Sequence, residues 1–558
     1  MKCWQFLGGQ SLKTVYILLI ILLVGFINEV VCEETSSSGA NYSSYFPRYD
    51  YFLNDANKIR LSLTNFGVLG AGRHFMNHAS CEYPKNSYNE YLWGAELWFG
   101  GIIDGDTLVS SSSMDTDDWS DLIRTEIFPD WNNGDLKIRS RNKTGVNYDL
   151  NANSDLDIEF TLTDTMPSTW SYGMMPEDPY DNRYHKPLGI VIKHTSYTWD
   201  TDYTKDFIII DYMIKNEGKK TIEDFYMGIY TVTAVGNKGD MGAGKSNNDE
   251  LIGFKCVSAY SPGQCVPPDS INLMWWADNE GEAVNNCRYD YRSPRAAASF
   301  QFLRRPNENA KINFNWFVSG YHWAANFGPQ LKDNYREFHY GTGYPTGDNN
   351  KYYLMSNGEI DYDQMFTVID HQGEGFLPPP GMAFAVDVSN GFSPEGVLST
   401  GPVDLAPGDS TFMTMALVFG DKFHWKPWSY LWYHDPWSPE AYFKYLDFRN
   451  LFENSYWAKF TFDNPGVDTD NDGYRGRYLW KCKCDDIDTC YEEGDFPIDT
   501  TRDCCYKRYF TGDGVPDFRI ASPPPAPIVR TIPKHDKVTI RWNGKITEDY
   551  IDFFTQEK

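Results

Sequence analysis

The feature that most constrains the fold is a strand-like pattern that runs from about residue 55 to residue 420. In the segment Phe207 to Ile214, every side chain except that of Asp211 is apolar. Successive side chains of a strand point to opposite faces, so this strand must be covered on both sides. A turn at 216–218 leads to a second strand at 225–235. We therefore predict a sheet that is buried on both faces.

Further short strands with turn residues between them indicate the architecture. A hairpin is predicted at 96–109 with Asp104-Gly105 at its tip, and a strand at 411–419 follows Pro407-Gly408-Asp409. Such spacing favours a β-sandwich, but the run is too long for one immunoglobulin-like unit. The predicted fold is mainly β: a large antiparallel β-sandwich domain, or two fused sandwiches, with one short helical segment.

The helical segment is predicted to begin at Ser438-Pro439-Glu440, because serine is a good N-cap and proline suits the first turn. Apolar side chains then recur at helical spacing, at Ala441, Tyr445, Phe448 and Phe452.

Four tryptophans crowd the preceding segment: Trp425, Trp428, Trp432 and Trp437. They would form a sugar-stacking platform if exposed. The favoured interpretation is that they cover the sheet edge and pack against the following helix.

The most specific chemistry lies between Asp463 and Gly476. Its DTDNDG core places Asp468, Asp470 and Asp472 at alternate positions before a glycine, which is how a loop wraps oxygen ligands around Ca²⁺. The Tyr474 carbonyl is the proposed fourth ligand. The alternative is a solvated acidic turn.

The predicted calcium cage is incomplete, because Leu479 stands where a bidentate acid is expected. The site must therefore take an oxygen from another acid, with Asp463, Asp485 and Asp513 as candidates. Asp513 and Asp517 could serve the same cation or a second one. A similar spacing that starts at Asp149 lacks the glycine, so we predict a plain turn there.

The N-terminus is predicted to be an export signal, because its apolar stretch at 15–27 is shorter than a membrane span. Cleavage near Cys32 is expected, with a retained anchor or lipidation at Cys32 as alternatives. The protein should be secreted, extracellular or at the cell surface, with no membrane span after cleavage. A net charge of −27 disfavours nucleic acid or anionic membrane as partners.

Cysteines in an exported chain predict disulfide bonds. Cys3 and Cys32 lie in or next to the signal, which leaves nine of the 11. Since nine is odd, one thiol is free or pairs elsewhere. A zinc site is disfavoured because no C-x₂-C pair is present. Catalytic motifs such as H-E-x-x-H are also missing, although a glycosidase carboxylate pair needs no local motif.

Several segments together resemble poorly characterised exported bacterial multidomain proteins; they are 90–101 with 105–109, 211–218, 354–359, 405–410 and 463–476. The resemblance implies secretion and continuation into fibronectin type III-like modules, with no assigned activity. The alternation of Val538, Ile540 and Trp542 looks like the start of such a module, which would be incomplete. The acidic loop separately resembles the calcium repeats of thrombospondin type 3 and dockerin modules, in one copy.

The predicted domains are a signal peptide (1–32), a flexible leader (33–54), the large β-sandwich domain (55–425), a Trp-rich segment and helix (426–462), a calcium-binding and Cys-rich connector (463–520), a Pro-rich linker (521–528) and a partial fibronectin type III-like module (529–558).

The leading functional hypothesis is a secreted structural or adhesive protein with a Ca²⁺-stabilised connector. The alternative is a polysaccharide-binding or polysaccharide-degrading protein, since aromatic residues make up 16% of the chain and suit both wide sheets and sugar contact. The third is a filament subunit whose C-terminal strands pair with the next copy. Expected partners are an extracellular glycan, other surface proteins or a second copy.

Overall fold

The computed structural model describes residues 50–72, 77–113, 125–130, 134–165, 185–241, 249–258, 270–283, 288–318, 327–333, 347–379, 381–484, 487–491, 505–520, 529–533 and 537–542. The predicted signal peptide, Asp485 and the Pro-rich linker lie outside these residues. In the described part, no helix combines the length and the apolar character that a bilayer span requires.

The described residues are mostly in strands. In chain order these are β1 (Tyr51–Asn54), β2 (Arg60–Thr64), β3 (Leu69–Gly70), β4 (Cys81–Glu82), β5 (Asn89–Ile103), β6 (Asp106–Ser111), β7 (Phe128–Pro129), β8 (Lys137–Arg139), β9 (Leu156–Thr163), β10 (Ile190–Thr198), β11 (Phe207–Asn216), β12 (Ile222–Asn237), β13 (Glu250–Ser258), β14 (Ser270–Asp278), β15 (Ala297–Arg304), β16 (Lys311–Val318), β17 (Pro394–Leu405), β18 (Ser410–Gly420), β19 (Tyr478–Cys484), β20 (Ile487–Tyr491), β21 (Cys505–Tyr509), β22 (Val529–Pro533) and β23 (Val538–Trp542). The helices are α1 (Lys238–Met241), α2 (Asp348–Ser356), α3 (Met382–Asn390), α4 (Ser429–Tyr433), α5 (Glu440–Phe443) and α6 (Arg449–Phe462).

Two antiparallel sheets of nine strands each dominate the described fold. The first has the order β1-β2-β3-β5-β12-β17-β16, with β4 beside β2 and β5, and β6 beside β5. The second has the order β13-β14-β15-β18-β11-β10-β9-β7, with β8 beside β9. A three-stranded sheet, β20-β19-β21, and the hairpin β22-β23 follow.

The two large sheets share one core, so the prediction of a mainly β, antiparallel sandwich is confirmed. Leu97 and Ile229 of the first sheet lie in the same buried cluster as Ile208 and Ile210 of the second. Because apolar side chains from both inner faces meet in one layer, the fold is a single enlarged sandwich and not two fused ones.

The outer faces of both sheets are also covered, as the pattern at 207–214 predicts. On the second sheet, Ile209 belongs to a separate buried cluster with Leu451 and Phe462 of α6. On the first sheet, Trp98 packs in a cluster with Met355 of α2. Helices on the outside therefore explain why these strands lack a polar face.

The predicted hairpin between β5 and β6 is confirmed, with Asp104 at φ 55° and Gly105 at φ 86°. Two successive positive φ values are typical of the tight turns that join antiparallel strands. The turn at 216–218 has a different role, because β11 and β12 lie in different sheets. The first strand, β1, begins inside the segment predicted to be a flexible leader.

The single helix predicted from Ser438 is wrong, because α5 and α6 are separate. Leu446 pairs with His424, and the Asp447 N–H donates to the Phe423 carbonyl at 2.9 Å. These bonds to the preceding chain interrupt the helical ladder. The Asp447 carboxylate then accepts the Arg449 N–H at 3.0 Å, where α6 starts.

The C-terminal strands β22 and β23 form an antiparallel hairpin. The side chains of Val538 and Ile540 are 62% and 56% exposed, so this face of the hairpin is not packed. The fibronectin type III-like assignment stays a prediction. Among the described cysteines, Cys81 is a buried free thiol, and the disulfide pairings stay predictions as well.

Candidate functional site

The end of α6 positions the acidic loop. The Asp517 N–H donates to the Phe462 carbonyl at 2.7 Å, and the Asn464 N–H donates to Asp517 Oδ2 at 2.9 Å. The Asn464 side chain also donates to the Phe460 and Arg519 carbonyls. Residues 463–476 are thus held against residues 511–517. We call these two segments together the acidic joint.

Within the acidic joint, Asp468, Asp470 and Asp472 each place a carboxylate oxygen within 4.8 Å of the other two. Asp468 Oδ2 accepts the Gly473 N–H at 3.1 Å, and Asp472 Oδ1 accepts the Tyr474 N–H at 2.7 Å. Oxygens so close together fit one Ca²⁺ at 2.3–2.6 Å. The role of the Tyr474 carbonyl stays a prediction.

The other predicted acids come to the same joint from a distance in sequence. The Thr469 N–H donates to Asp513 Oδ2, and the Thr469 hydroxyl donates to Asp517 Oδ1 at 2.7 Å. The Gly514 N–H donates to Asp463 Oδ2 at 3.0 Å. The two acidic segments are therefore joined through Thr469, a residue whose part the sequence pattern did not reveal.

Glycine is required at position 512 by a close approach between the two segments. A Cβ atom there would collide with Asp463 Oδ1 and lie 2.9 Å from the Asn464 carbonyl oxygen. A larger side chain would push the two segments apart, because neither the backbone nor the buried carboxylate can move aside.

Two oxygens of the joint are buried without a hydrogen-bond donor among the described residues, Asp463 Oδ1 and Asp468 Oδ1. Burial, and then the nearby Asp513 and Asp517, raise the pKa of Asp463 to about 7, against the Gly514 hydrogen bond that lowers it. An unpaired buried carboxylate oxygen is costly, and a cation would satisfy it. The residues present fit a Ca²⁺ site.

The turn at Asp149 differs from the joint, as predicted. Asp149 Oδ1 accepts the Asn151 N–H at 2.8 Å, and the Ala152 N–H returns to the Asp149 carbonyl at 3.2 Å. These are the local bonds of an Asx turn, and no distant acid is needed to explain them.

The prediction that the four clustered tryptophans are packed is wrong. Their side chains are 52%, 38%, 63% and 60% exposed at Trp425, Trp428, Trp432 and Trp437. By contrast, Trp275, Trp276 and five further tryptophans among the described residues are in the core or half-buried against it. We call the four exposed residues the tryptophan platform.

The platform faces outward because other side chains of the same segment face inward. In α4 and its flanks, the Tyr430 hydroxyl donates to the Asn390 carbonyl at 2.8 Å, and His434 Nε2 lies 2.9 Å from Asn390 Oδ1. The rings of Tyr430 and His434 also stack, with centroids 4.6 Å apart. With the inward side of the helical turn taken, Trp428 and Trp432 lie together on the outward side.

The outward indoles are arranged on this fixed base. The rings of Trp428 and Trp432 stack with centroids 5.6 Å apart and an interplanar angle of 30°. Lys426 Nζ lies 5.3 Å from the Tyr433 ring centroid and 4.9 Å from that of Tyr445. The surface therefore combines flat aromatic rings with a cationic hydrogen-bond donor.

The signal for this exposure was present in the sequence. Tyr430 and His434 are four residues apart, as are Trp428 and Trp432, so each pair marks one side of a helical turn. The number of aromatic residues alone does not distinguish the two pairs. Tyr430 and His434 have polar tips that find buried hydrogen-bond partners, whereas the indoles of Trp428 and Trp432 stay exposed.

Comparisons with known proteins identify no family. No protein-family model and no curated protein matches the sequence. Among solved structures, a putative aldose 1-epimerase from Escherichia coli K12 aligns with 10% sequence identity over 67% of this chain and 99% of that chain, with a TM-score of 0.22. A TM-score this low does not indicate a shared fold.

Proposed function

We propose that this chain is an extracellular adhesive protein that binds polysaccharide through the tryptophan platform. The observation that carries the proposal is the exposure of four indoles within thirteen positions, 425–437, on a base held by hydrogen bonds. Exposed aromatic side chains clustered in this way are typical of a surface that contacts a partner.

A sugar is the partner that suits this surface. The apolar C–H face of a pyranose packs on a flat aromatic ring, while its hydroxyls need polar neighbours. The platform supplies such rings at Trp428 and Trp432. Lys426, whose Nζ lies over the Tyr433 and Tyr445 rings, is a hydrogen-bond donor in the same segment. A glycan chain can engage several rings in succession, which makes up for the weakness of each contact.

The acidic joint supports an adhesive role in a second way. The first segment of the joint directly follows α6, which packs on the sandwich, and the second segment lies between β21 and β22. Ca²⁺ bound between segments 463–476 and 511–517 would hold this part of the chain in one arrangement. A stiff connection transmits load from a bound surface to the next module.

Removing the two stacked rings of the platform should weaken polysaccharide binding. In the protein with Trp428→Ala and Trp432→Ala, each lost ring is expected to weaken binding about two- to tenfold, from the roughly 0.5–1.5 kcal/mol typical of an aromatic contact. Binding is measured on a glycan array and by co-sedimentation with insoluble polysaccharides.

The matched control is Tyr291→Ala, which removes an aromatic side chain that is 75% exposed outside the platform. This variant should bind as the unchanged protein does. The proposed function is wrong if the unchanged protein binds no glycan on the array, or if it binds one equally well after both tryptophans are removed.

A further inference from the structure

A second group of acids lies at one end of the strand pair β13 and β14. Asp249, Asp278 and Glu282 each place a carboxylate oxygen within 4.8 Å of the other two. Asp249 directly precedes β13, whose first residue, Glu250, pairs with Asp278, the last residue of β14. Glu282 follows in a turn that contains Gly281 at φ 78°. Strand pairing thus brings together acids that are about 30 positions apart in sequence.

The Asp278 carboxylate is buried and only half satisfied. Asp278 is 1% exposed. Oδ1 accepts the N–H groups of Glu280, at 2.9 Å, and of Gly281. Oδ2 accepts no hydrogen bond from the described residues, and neither does Asp249 Oδ1. A buried carboxylate oxygen without a donor is strongly unfavourable unless a cation binds it.

The residue between these acids shows the same deficit. Asn279 is 6% exposed, and its Oδ1 is another buried oxygen without a hydrogen-bond donor. Its Nδ2 donates to the Asn390 carbonyl at 2.8 Å, and its own carbonyl accepts the Tyr442 hydroxyl at 2.7 Å. The turn is therefore held firmly in place, with oxygens left over for a ligand.

We propose that Asp249, Asp278 and Glu282 bind a Ca²⁺ ion, separate from the ion of the acidic joint. With metal–oxygen distances of 2.3–2.6 Å, two oxygens that share one Ca²⁺ lie at most about 5 Å apart, and these three acids meet that limit. Carboxylate oxygens are hard ligands, which favours Ca²⁺ over softer transition metals.

The electrostatics of the group agree with a missing positive charge. Burial, and then the charges of Glu282 and Glu280, raise the pKa of Asp249 to about 7. Burial, and then Asp249 and Glu282, raise the pKa of Asp278 well above its ordinary value. Mutual repulsion of this kind is relieved either by protons or by a bound cation.

The group lies next to the base of the tryptophan platform. Asn390 accepts hydrogen bonds from both Asn279 and Tyr430 through its carbonyl. Gly391 comes so close to the chain at Asp249 that a Cβ there would collide with the Asp249 carbonyl oxygen. Cation binding at this place does not depend on what the platform binds.

The experiment uses the full chain with Asp468→Asn and Asp470→Asn, which weaken the acidic joint. Isothermal titration with CaCl₂ is expected to count one more bound Ca²⁺ in this protein than in the same protein with Asp278→Asn. Asparagine keeps an oxygen for the N–H groups of Glu280 and Gly281, so the turn should survive. Affinity for this ion is expected to fall at least 100-fold.

The matched control is Glu280→Gln, which removes a neighbouring negative charge without removing one of the three ligands. Its Ca²⁺ affinity should stay within about fivefold of that of the background protein, as for a screened charge. If Asp278→Asn does not fold, Glu282→Gln takes its place with the same expectation.

Two results would overturn the proposal. The first is an unchanged number of bound Ca²⁺ ions after the Asp278 or Glu282 substitution. The second is an equal loss of affinity with Glu280→Gln, which would show a diffuse attraction of counterions and not a ligand set.

Discussion

In Ca²⁺, the protein with Asp468→Asn and Asp470→Asn is expected to unfold several degrees below the unchanged protein, whereas in chelator both should unfold together. Asparagine preserves the backbone hydrogen bonds to Asp468 and Asp470 but removes two charges that a cation needs. A ligand present at a thousandfold excess over its Kd stabilises the folded state by about 4 kcal/mol. The measurement is thermal unfolding by calorimetry, with and without Ca²⁺.

The control for this experiment is Asp149→Asn in the local turn, which should keep the full calcium effect. An equal loss of stability in Ca²⁺ and in chelator would show that Asp468 and Asp470 act only through their hydrogen bonds. In that case the joint would be a plain acidic turn, and the calcium assignment would be wrong.

Local sequence predicted the strands well, because burial on both faces leaves a direct trace. At 207–214 the inward side chains of Ile208 and Ile210 and the outward side chain of Ile209 all had to be apolar, and the structure covers both sides. The hairpin tip at Asp104-Gly105 was equally readable, since few residues tolerate positive φ.

Local sequence could not give what depends on distant partners. The interruption before α6 comes from bonds to the chain at 423–424, which no helical spacing records. The acids Asp249 and Asp278 meet only because β13 pairs with β14. The tryptophan platform was wrongly predicted to be packed for the same reason. Its outward orientation depends on the contacts of Tyr430 and His434 with the distant Asn390.

The acidic joint shows both cases in one place. The DTDNDG spacing predicted three converging carboxylates, because the loop is local and its glycine fixes the turn. The need for further oxygens was also readable, from Leu479 at the position of the missing acid. The sequence did not predict the contacts of Thr469 with Asp513 and Asp517, because these residues are more than 40 positions apart.

Acid is expected to destabilise the protein through His194, a residue of β10 in the sandwich core. The ring is fully buried and stacks on Phe160, with centroids 4.2 Å apart. The Tyr212 ring lies 5.1 Å away, edge to face. Neither ring nitrogen has a hydrogen-bond partner among the described residues, and burial lowers the pKa of His194 to about 3.

The sign of the pH effect follows from this lowered pKa. In the unfolded chain His194 gains its proton as the pH falls through about 6.5, whereas in the folded protein it stays neutral down to a pH of about 3. The stability that comes from keeping His194 neutral is therefore fully present above about pH 6.5. It is lost as the pH falls toward 3. The linkage amounts to about 2 kcal/mol between pH 7.5 and pH 5, and about 4 kcal/mol near pH 3.

His194→Phe removes the proton site and keeps an aromatic ring against Phe160. The free energy of unfolding, measured by denaturant titration, should therefore rise relative to the unchanged protein by about 2 kcal/mol between pH 7.5 and pH 5. Tyr212→Phe is the control, since it alters the same cluster without changing a group that titrates in this range, and its curve should run parallel to that of the unchanged protein. Parallel curves for His194→Phe and the unchanged protein would contradict this prediction. They would mean that the His194 ring gains its proton in the folded protein as easily as in the unfolded chain, despite its burial between Phe160 and Tyr212.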